Sequence, residues 1–471
     1  MGEDGLKPEL SLFDAVTIVG GSMIGSGIFI VSADIARQVH SPAALLGVWL
    51  VSGLMTIAGA LSYGELAAMM PQAGGQYVFL REAYGRMLAF CFGWTLLLVI
   101  QTGTIAAVAV AFGRFAGVIF PALSSRMIFG SGTVGLSGER VGAIAIIALL
   151  TAVNLRGLNL GRITQNVFTT AKVLSLLLVI AVGCMIAPDR AAIRANFGSF
   201  STFAGSNELS GSFIAAFGAA MVGALFSADA WANVTFTASE VRNPRRNLPR
   251  ALTLGTGLVI GLYLLTNLAY MFELPVLATS SRSAARTATA DFSRGISGAP
   301  SDRVATAAME MVWGESGALI AAILVMISTF GCANGLILTG ARVIYAMSRD
   351  HLFFAAAGRL NQVSVPAVAL ILQGAWALLL TLSGTYSQLL DYVIFAQLIF
   401  YVLTVSAVFI LRVKRADNLR PYRAWGYPWV PLAYIATALG IMSALLVMRP
   451  RYTWPGLLIA VSGVPVYCFM H

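Results

Sequence analysis

Charge is what this sequence has least of. Only 11% of its 471 residues are Asp, Glu, Lys or Arg, against about a quarter in a soluble domain, while 58% are hydrophobic. This balance excludes a soluble domain as the bulk of the chain, and it excludes disorder. Histidine is almost missing, with His40, His351 and His471 the only three. None belongs to a metal-binding H-E-x-x-H pair, and none lies at membrane depth where it would activate a serine. The four cysteines, Cys91, Cys184, Cys332 and Cys468, sit singly in apolar stretches, which is neither a metal knuckle nor a disulfide framework. No metal and no cofactor is therefore expected. Long runs of one charge are absent as well. The net charge of +10 is spread over many short connections, which argues against a nucleic-acid partner and for the side bias of a membrane protein.

What the chain does have is long apolar windows. Bounded by charge, Pro or Gly, twelve of them read as helices at 12–32, 43–69, 88–119, 140–155, 163–187, 209–238, 250–273, 316–346, 365–383, 388–411, 428–447 and 453–470. A bilayer span needs about 20 apolar residues, so the expected fold class is an all-α integral membrane protein with twelve transmembrane helices. The opening MGEDGLKPEL is acidic, and the apolar run after it lacks a small-residue cleavage site. The first window thus reads as a retained helix, not a signal peptide. The densest basic clusters, Arg242-Arg245-Arg246-Arg250 and Arg412-Lys414-Arg415, follow even-numbered windows. Residues 1–11 and the C-terminus are accordingly expected in the cytoplasm, with the protein multi-pass in the cell (inner or plasma) membrane and the lipid bilayer as its surroundings.

Two windows are interrupted. The first contains VGGSMIGSGIF (19–29), with four glycines in eleven residues. Glycine costs about 1 kcal/mol relative to alanine inside a helix, so the cluster has one of two uses. Either it permits close helix packing, since Gly21 and Gly25 fit GxxxG, or it unwinds the backbone around a ligand. The sixth window carries a matching irregularity, GALFSADAWANVTF (223–236), with Asp229 in its middle, and a carboxylate at membrane depth is a functional candidate by default. Broken helices at corresponding places in two halves point to an inverted repeat with a binding site at the bilayer midplane. The first repeat would span 12–187 and the second 209–411, with two further helices in 428–470.

The motifs carry a resemblance. GSMIGSGIFI (21–30), GELAAMMPQAGGQYVFLREAYG (64–85) and SEVRNPRRNLPRAL (239–252) resemble the amino acid–polyamine–organocation (APC) superfamily, and within it the L-type amino acid transporter branch. TAVNLRG (151–157), LLTNLAY (264–270), FGCANGLILTGARVIYAMSRD (330–350), RPYRAWGYP (420–428) and SGVPVY (462–467) continue it in order along the chain. The resemblance implies a leucine-transporter-type five-plus-five inverted repeat, broken in helices 1 and 6, that moves a small-molecule amino acid by alternating access. It implies sodium-independent movement of neutral L-amino acids by exchange or facilitation. The alternatives are a cationic amino acid or polyamine antiporter and a proton-coupled symporter of the same superfamily.

The resemblance also implies roles for residues. Gly25, Ser26 and Gly27 would offer amides, and Ser26 its hydroxyl, to a substrate carboxylate at a positive helix end; for Ser26 a back-bond to its own helix is the competing reading. Carbonyls near Met23 and around Phe226, Ser227 and Asp229 would receive the ammonium. Phe226 matches an aromatic cover over the substrate, or else is one more core Phe. Asp229 departs from the glycine pair of eukaryotic large-neutral transporters. It would bind a charged side chain, organise the break or respond to protonation. Lys172 would stand where sodium-coupled relatives hold Na⁺, with Ser328 and Thr329 as facing groups; the plain reading is snorkelling to an interface. Gln397 falls at a polar substrate-pocket position, and Gln101 and Gln397 would otherwise bond between helices. Glu65, Arg81 and Glu82 read as gate members or as solvated charges. In Arg242-Asn243-Pro244 the proline is expected to stop the helix. The 120–140 connection lacks the cysteine that heteromeric relatives use, so no disulfide-linked heavy chain is expected. A membrane enzyme is disfavoured, because Ser26 has no histidine and Asp229 no second intramembrane aspartate to work with. A channel is disfavoured because no filter-like repeat is visible.

Overall fold

The first apolar window does not form one helix. Ser11 caps its start, accepting from the Asp14 amide while Asp14 accepts from the Ser11 amide at 2.8 Å, a reciprocal arrangement that satisfies two otherwise orphaned donors. Helix α1 (Leu12–Met23) then stops at the glycine cluster, residues 24–26 are non-helical, and α2 (Gly27–Val39) resumes. These observations come from a computed structural model, which describes residues 6, 8–123, 126–131, 134–198, 211–277, 295–382, 386–448 and 450–470. Part of the expected N-terminal segment (1–5 and 7), the start of the sixth window (209–210), part of the long connection 274–315 (278–294), the last residue of the ninth window (383) and His471 lie outside the described residues.

Helix follows helix: α3 (Pro42–Met69), α4 (Gln76–Tyr84), α5 (Arg86–Thr95) and α6 (Gln101–Ile119), the last two joined through a π-helical turn at Leu96–Ile100. Strands β1 (Met127–Ser131) and β2 (Val134–Ser137) precede α7 (Gly138–Leu155), α8 (Leu158–Ala181) and α9 (Arg190–Phe197). The second half comprises α10 (Gly211–Ser227), α11 (Pro244–Glu273), α12 (Val304–Arg349), α13 (Ala367–Thr381), α14 (Tyr386–Lys414), α15 (Trp429–Met448) and α16 (Pro450–Met470). The sixth window breaks as the first does. α10 ends at Ser227, Ala230 takes a left-handed conformation (φ 65°), and a tighter 3₁₀ helix runs Trp231–Glu240.

Eleven of the described helical segments are long and apolar enough to cross a membrane. The expected ninth window is helical but short, α13 having 15 residues, about 22 Å at 1.5 Å per residue. Three local expectations are corrected. The chain is not purely helical, because Met127–Ser131 and Val134–Ser137 pair as antiparallel strands whose Gly130 and Gly135 both take positive φ. Residues 76–84, read as a connection, form α4. Pro244 does not stop a helix but opens α11, a position where its missing N–H costs nothing. The most apolar stretch of α1–α2 is 94% buried and that of α5–α6 89%, against 28% and 22% in α15 and α16. The first helix is thus central, and the last two flank the bundle.

Candidate functional site

The break between α1 and α2 leaves backbone carbonyls without helical partners, and side chains from three helices take them. Lys172 of α8, fully buried, donates its ammonium to Gly21 O at 2.7 Å and to Ile24 O at 2.8 Å. Ser328 of α12 places its hydroxyl 3.2 Å from Ile24 O and 3.1 Å from Gly25 O. Cys332, one turn further, lies 3.0 Å from Ser22 O. The Tyr263 hydroxyl of α11 lies 2.9 Å from Met23 O and 2.8 Å from Ser227 O, so one donor is shared between the two breaks. Thr329 turns away from this cluster and bonds Val325 O of its own helix at 2.8 Å.

The breaks meet closely. A Cβ on Gly27 would fall 2.7 Å from Ser227 Cβ and 2.8 Å from its Cα, a separation only glycine tolerates. A Cβ on Gly25 would stand 3.0 Å from Cys332 Sγ. Two residues beyond Ser227 the chain faces elsewhere. Asp229 is buried, and its Oδ1 accepts from the Tyr401 hydroxyl of α14 at 2.7 Å. Trp231 stacks on Tyr401 at 5.1 Å between centroids, with Tyr63 edge-on to Trp231 at 4.7 Å. Asp229, Tyr401 and Gln397 share a cavity of about 20 Å³, room for a water but not for an amino acid. The buried Gln397 Oε1 has no hydrogen-bond partner among the described residues.

The sequence candidates therefore divide into two groups. Met23, Gly25, Gly27, Ser227, Lys172 and Ser328 converge at the first break, as does Ser26, at the N-terminal boundary of α2. Asp229 and Gln397 line the cavity on the α14 side, where Leu225, not Phe226, contributes the wall. Phe226 is 6% exposed and packs in the core. Gln101 bonds across helices to Leu336 O at 2.7 Å. Tyr263, Cys332 and Tyr401 were not singled out by sequence, because a Tyr or Cys inside an apolar window reads as core. A polar ladder was also missed: Asn334 donates to Gln165 Oε1 at 3.0 Å, and Thr169 to Thr17 O at 3.2 Å, tying α12 and α8 to α1.

Ion pairs tie several helix ends together. Glu240 and Arg342, 2% and 1% exposed, form a bidentate pair at 3.0 Å for both bonds. The Glu240 carbonyl accepts from Leu10 N, and Arg242 N donates to Leu10 O, both at 2.8 Å. Glu65 accepts from Arg412 at 2.7 and 2.9 Å and from the Ala424 amide at 2.7 Å. Arg81 bridges Asp350 and Glu82, and Tyr77 donates to Asp350 at 2.8 Å. Burial alone would lower the Arg81 pKa, but Asp350 and Glu82 outweigh it and raise it. Arg81 and Glu82 are thus paired charges. Among the described residues no cluster of His, Cys, Asp or Glu is placed to hold a metal ion.

Comparison with known proteins follows the geometry. A family model described as amino acid permease matches residues 10–467. The serine/threonine exchanger SteT of Bacillus subtilis (strain 168) is 30% identical over 99% of this chain and 97% of its own length. The b(0,+)-type amino acid transporter 1 of Mus musculus is 29% identical, covering 95% of this chain and 85% of its own. The Asc-type amino acid transporter 1 of the same species is 27% identical over 98% and 81%.

Proposed function

Because the chain belongs to the amino acid permease family, we propose that it moves neutral L-amino acids without sodium, by exchange or facilitation. Its coarser nature is plain: it is a multi-pass membrane amino acid transporter and not an enzyme. The finer reading rests above all on Lys172. Its ammonium sits against Gly21 O and Ile24 O, the carbonyls a bound cation would hold in a sodium-coupled member of the leucine-transporter fold. A fixed positive charge at that place removes the need for an ion. A buried ammonium is costly unless hydrogen bonds offset it, and the two carbonyls supply them.

In this reading the molecule has twelve spans, with 12–187 and 209–411 as inverted repeats and both termini cytoplasmic. The substrate carboxylate binds the unwound Gly25-Ser26-Gly27 at the positive end of α2, and its ammonium takes carbonyls of the sixth-helix break beside Phe226 and Ser227. Met23 O and Ser227 O already receive the Tyr263 hydroxyl, so that tyrosine would release one of them on binding. Asp229 organises the break through Tyr401, which favours a neutral over a cationic substrate, because its carboxylate is engaged on the α14 side. The likeness to a serine/threonine exchanger supports small neutral substrates and exchange. Gln397 then borders the pocket when the 20 Å³ cavity enlarges on opening.

Counterflow in proteoliposomes tests this, offering labelled serine, alanine, leucine and arginine with and without sodium. Uptake of the neutral substrates that needs internal amino acid, or rises with it, and ignores sodium is the expected result. Strict dependence on sodium overturns the reading of Lys172. Arginine-selective uptake overturns the reading of Asp229.

A further inference from the structure

We infer that the first two turns of α11 hold the phosphate of an anionic phospholipid. A cavity of about 820 Å³ opens there, far larger than the one beside Asp229. Its α11 wall consists of two adjacent rows at four-residue spacing, Arg245-Pro249-Thr253 and Arg246-Arg250-Leu254, which share one helix face. All three arginines are exposed, and none of their guanidinium groups has a hydrogen bond or ion pair among the described residues. The carboxylate that neighbours Tyr422 on the opposite wall, Glu65, is already held by Arg412 and Arg420.

The arrangement is electrostatically incomplete as it stands. Cations in the first turns of a helix oppose its positive dipole end, and three of them together repel one another. An anion seated between them relieves both terms. The rest of the cavity states which anion. Along α11 the lining passes from arginine at residues 245 and 246 to Leu254, which is 57% exposed. Leu258 and Leu265, 49% and 46% exposed, continue the apolar surface up the helix. Leu12, Pro249 and Pro421 add apolar lining, which a free inorganic ion would not use. Charge at the start of α11 and hydrocarbon further along it is the shape of a phospholipid headgroup with its acyl chains, and basic pockets beside spanning helices take such headgroups.

The test uses the full-length protein purified in detergent and exposed to an equimolar mixture of phosphatidylglycerol and phosphatidylcholine. Retained lipid is counted by native mass spectrometry. Wild type is expected to retain phosphatidylglycerol in preference, and R245Q/R246Q/R250Q to lose that preference by about tenfold or more, three basic contacts being removed. A charge-matched control, R86Q/R156Q/R359Q, removes three exposed arginines elsewhere and is expected to retain it. Equal loss in both triple variants overturns the site in favour of diffuse attraction. Retention of inorganic phosphate in a parallel incubation without phosphatidylglycerol preference, or equal retention of both lipids, overturns the lipid assignment. Far-UV circular dichroism and gel-filtration profiles matching wild type are required of each variant. If the triple variant does not fold, the single substitutions R246Q and R250Q are compared instead, each expected to weaken the preference and each overturning the site if it does not.

Discussion

Lys172→Met keeps the length of the buried side chain and deletes the ammonium. Ile24 O then retains the Ser328 hydroxyl at 3.2 Å, whereas Gly21 O loses the side-chain donor that stood at 2.7 Å. A hydrogen bond to a charged group contributes about 1.5–3 kcal/mol. Against this stands the desolvation cost of a buried ammonium, which the substitution removes. These terms offset in global stability, so the thermal midpoint is expected to move little. They do not offset at the break, where the ammonium alone joins Gly21 to Ile24. Losing one such bond from the closed, substrate-bound arrangement weakens binding by about ten- to hundredfold. The assay is equilibrium binding of labelled substrate to purified protein, together with counterflow at matched reconstitution. Wild-type affinity and rate in the Lys172→Met protein would refute the argument that this ammonium holds the first helix in its binding shape.

Three other outcomes follow from packing and pairing. Gly27→Ala puts a methyl 2.7 Å from Ser227 Cβ, an overpacking that costs about 1–3 kcal/mol; transport should fall at least about tenfold while the protein still folds, and unchanged transport would show that the breaks separate freely. Tyr401→Phe removes the donor to the buried Asp229 carboxylate, which should cost about 1.5–3 kcal/mol and be visible as a lowered thermal midpoint. Glu240→Gln or Arg342→Gln leaves a buried charge unpaired at a cost of about 3–5 kcal/mol, and the double substitution should recover part of it; a double variant less stable than both singles contradicts the pairing.

Both breaks were legible because their residues are wrong for a helix at membrane depth: four glycines in 19–29 and an aspartate at 229. Lys172 was legible for the same reason, since a charge among leucines needs a partner. Its partners were not, because Gly21 O and Ile24 O are backbone atoms with no signature in sequence. Tyr263 and Tyr401 escaped notice since a tyrosine in an apolar window differs from a core aromatic only by where its hydroxyl ends up. Glu240 and Arg342 lie 102 residues apart, and no local pattern pairs them. The β1–β2 pairing was hidden in a polar connection whose glycines read equally well as loop.

Glu240 carries more than one fastening. Its carboxylate grips Arg342 while its carbonyl anchors Leu10, whose own carbonyl takes the Arg242 amide. The 3₁₀ segment, α12 and the leading segment of the chain are thus fastened at one joint, so displacing the end of the sixth helix strains the buried ion pair and the Leu10 backbone bonds together.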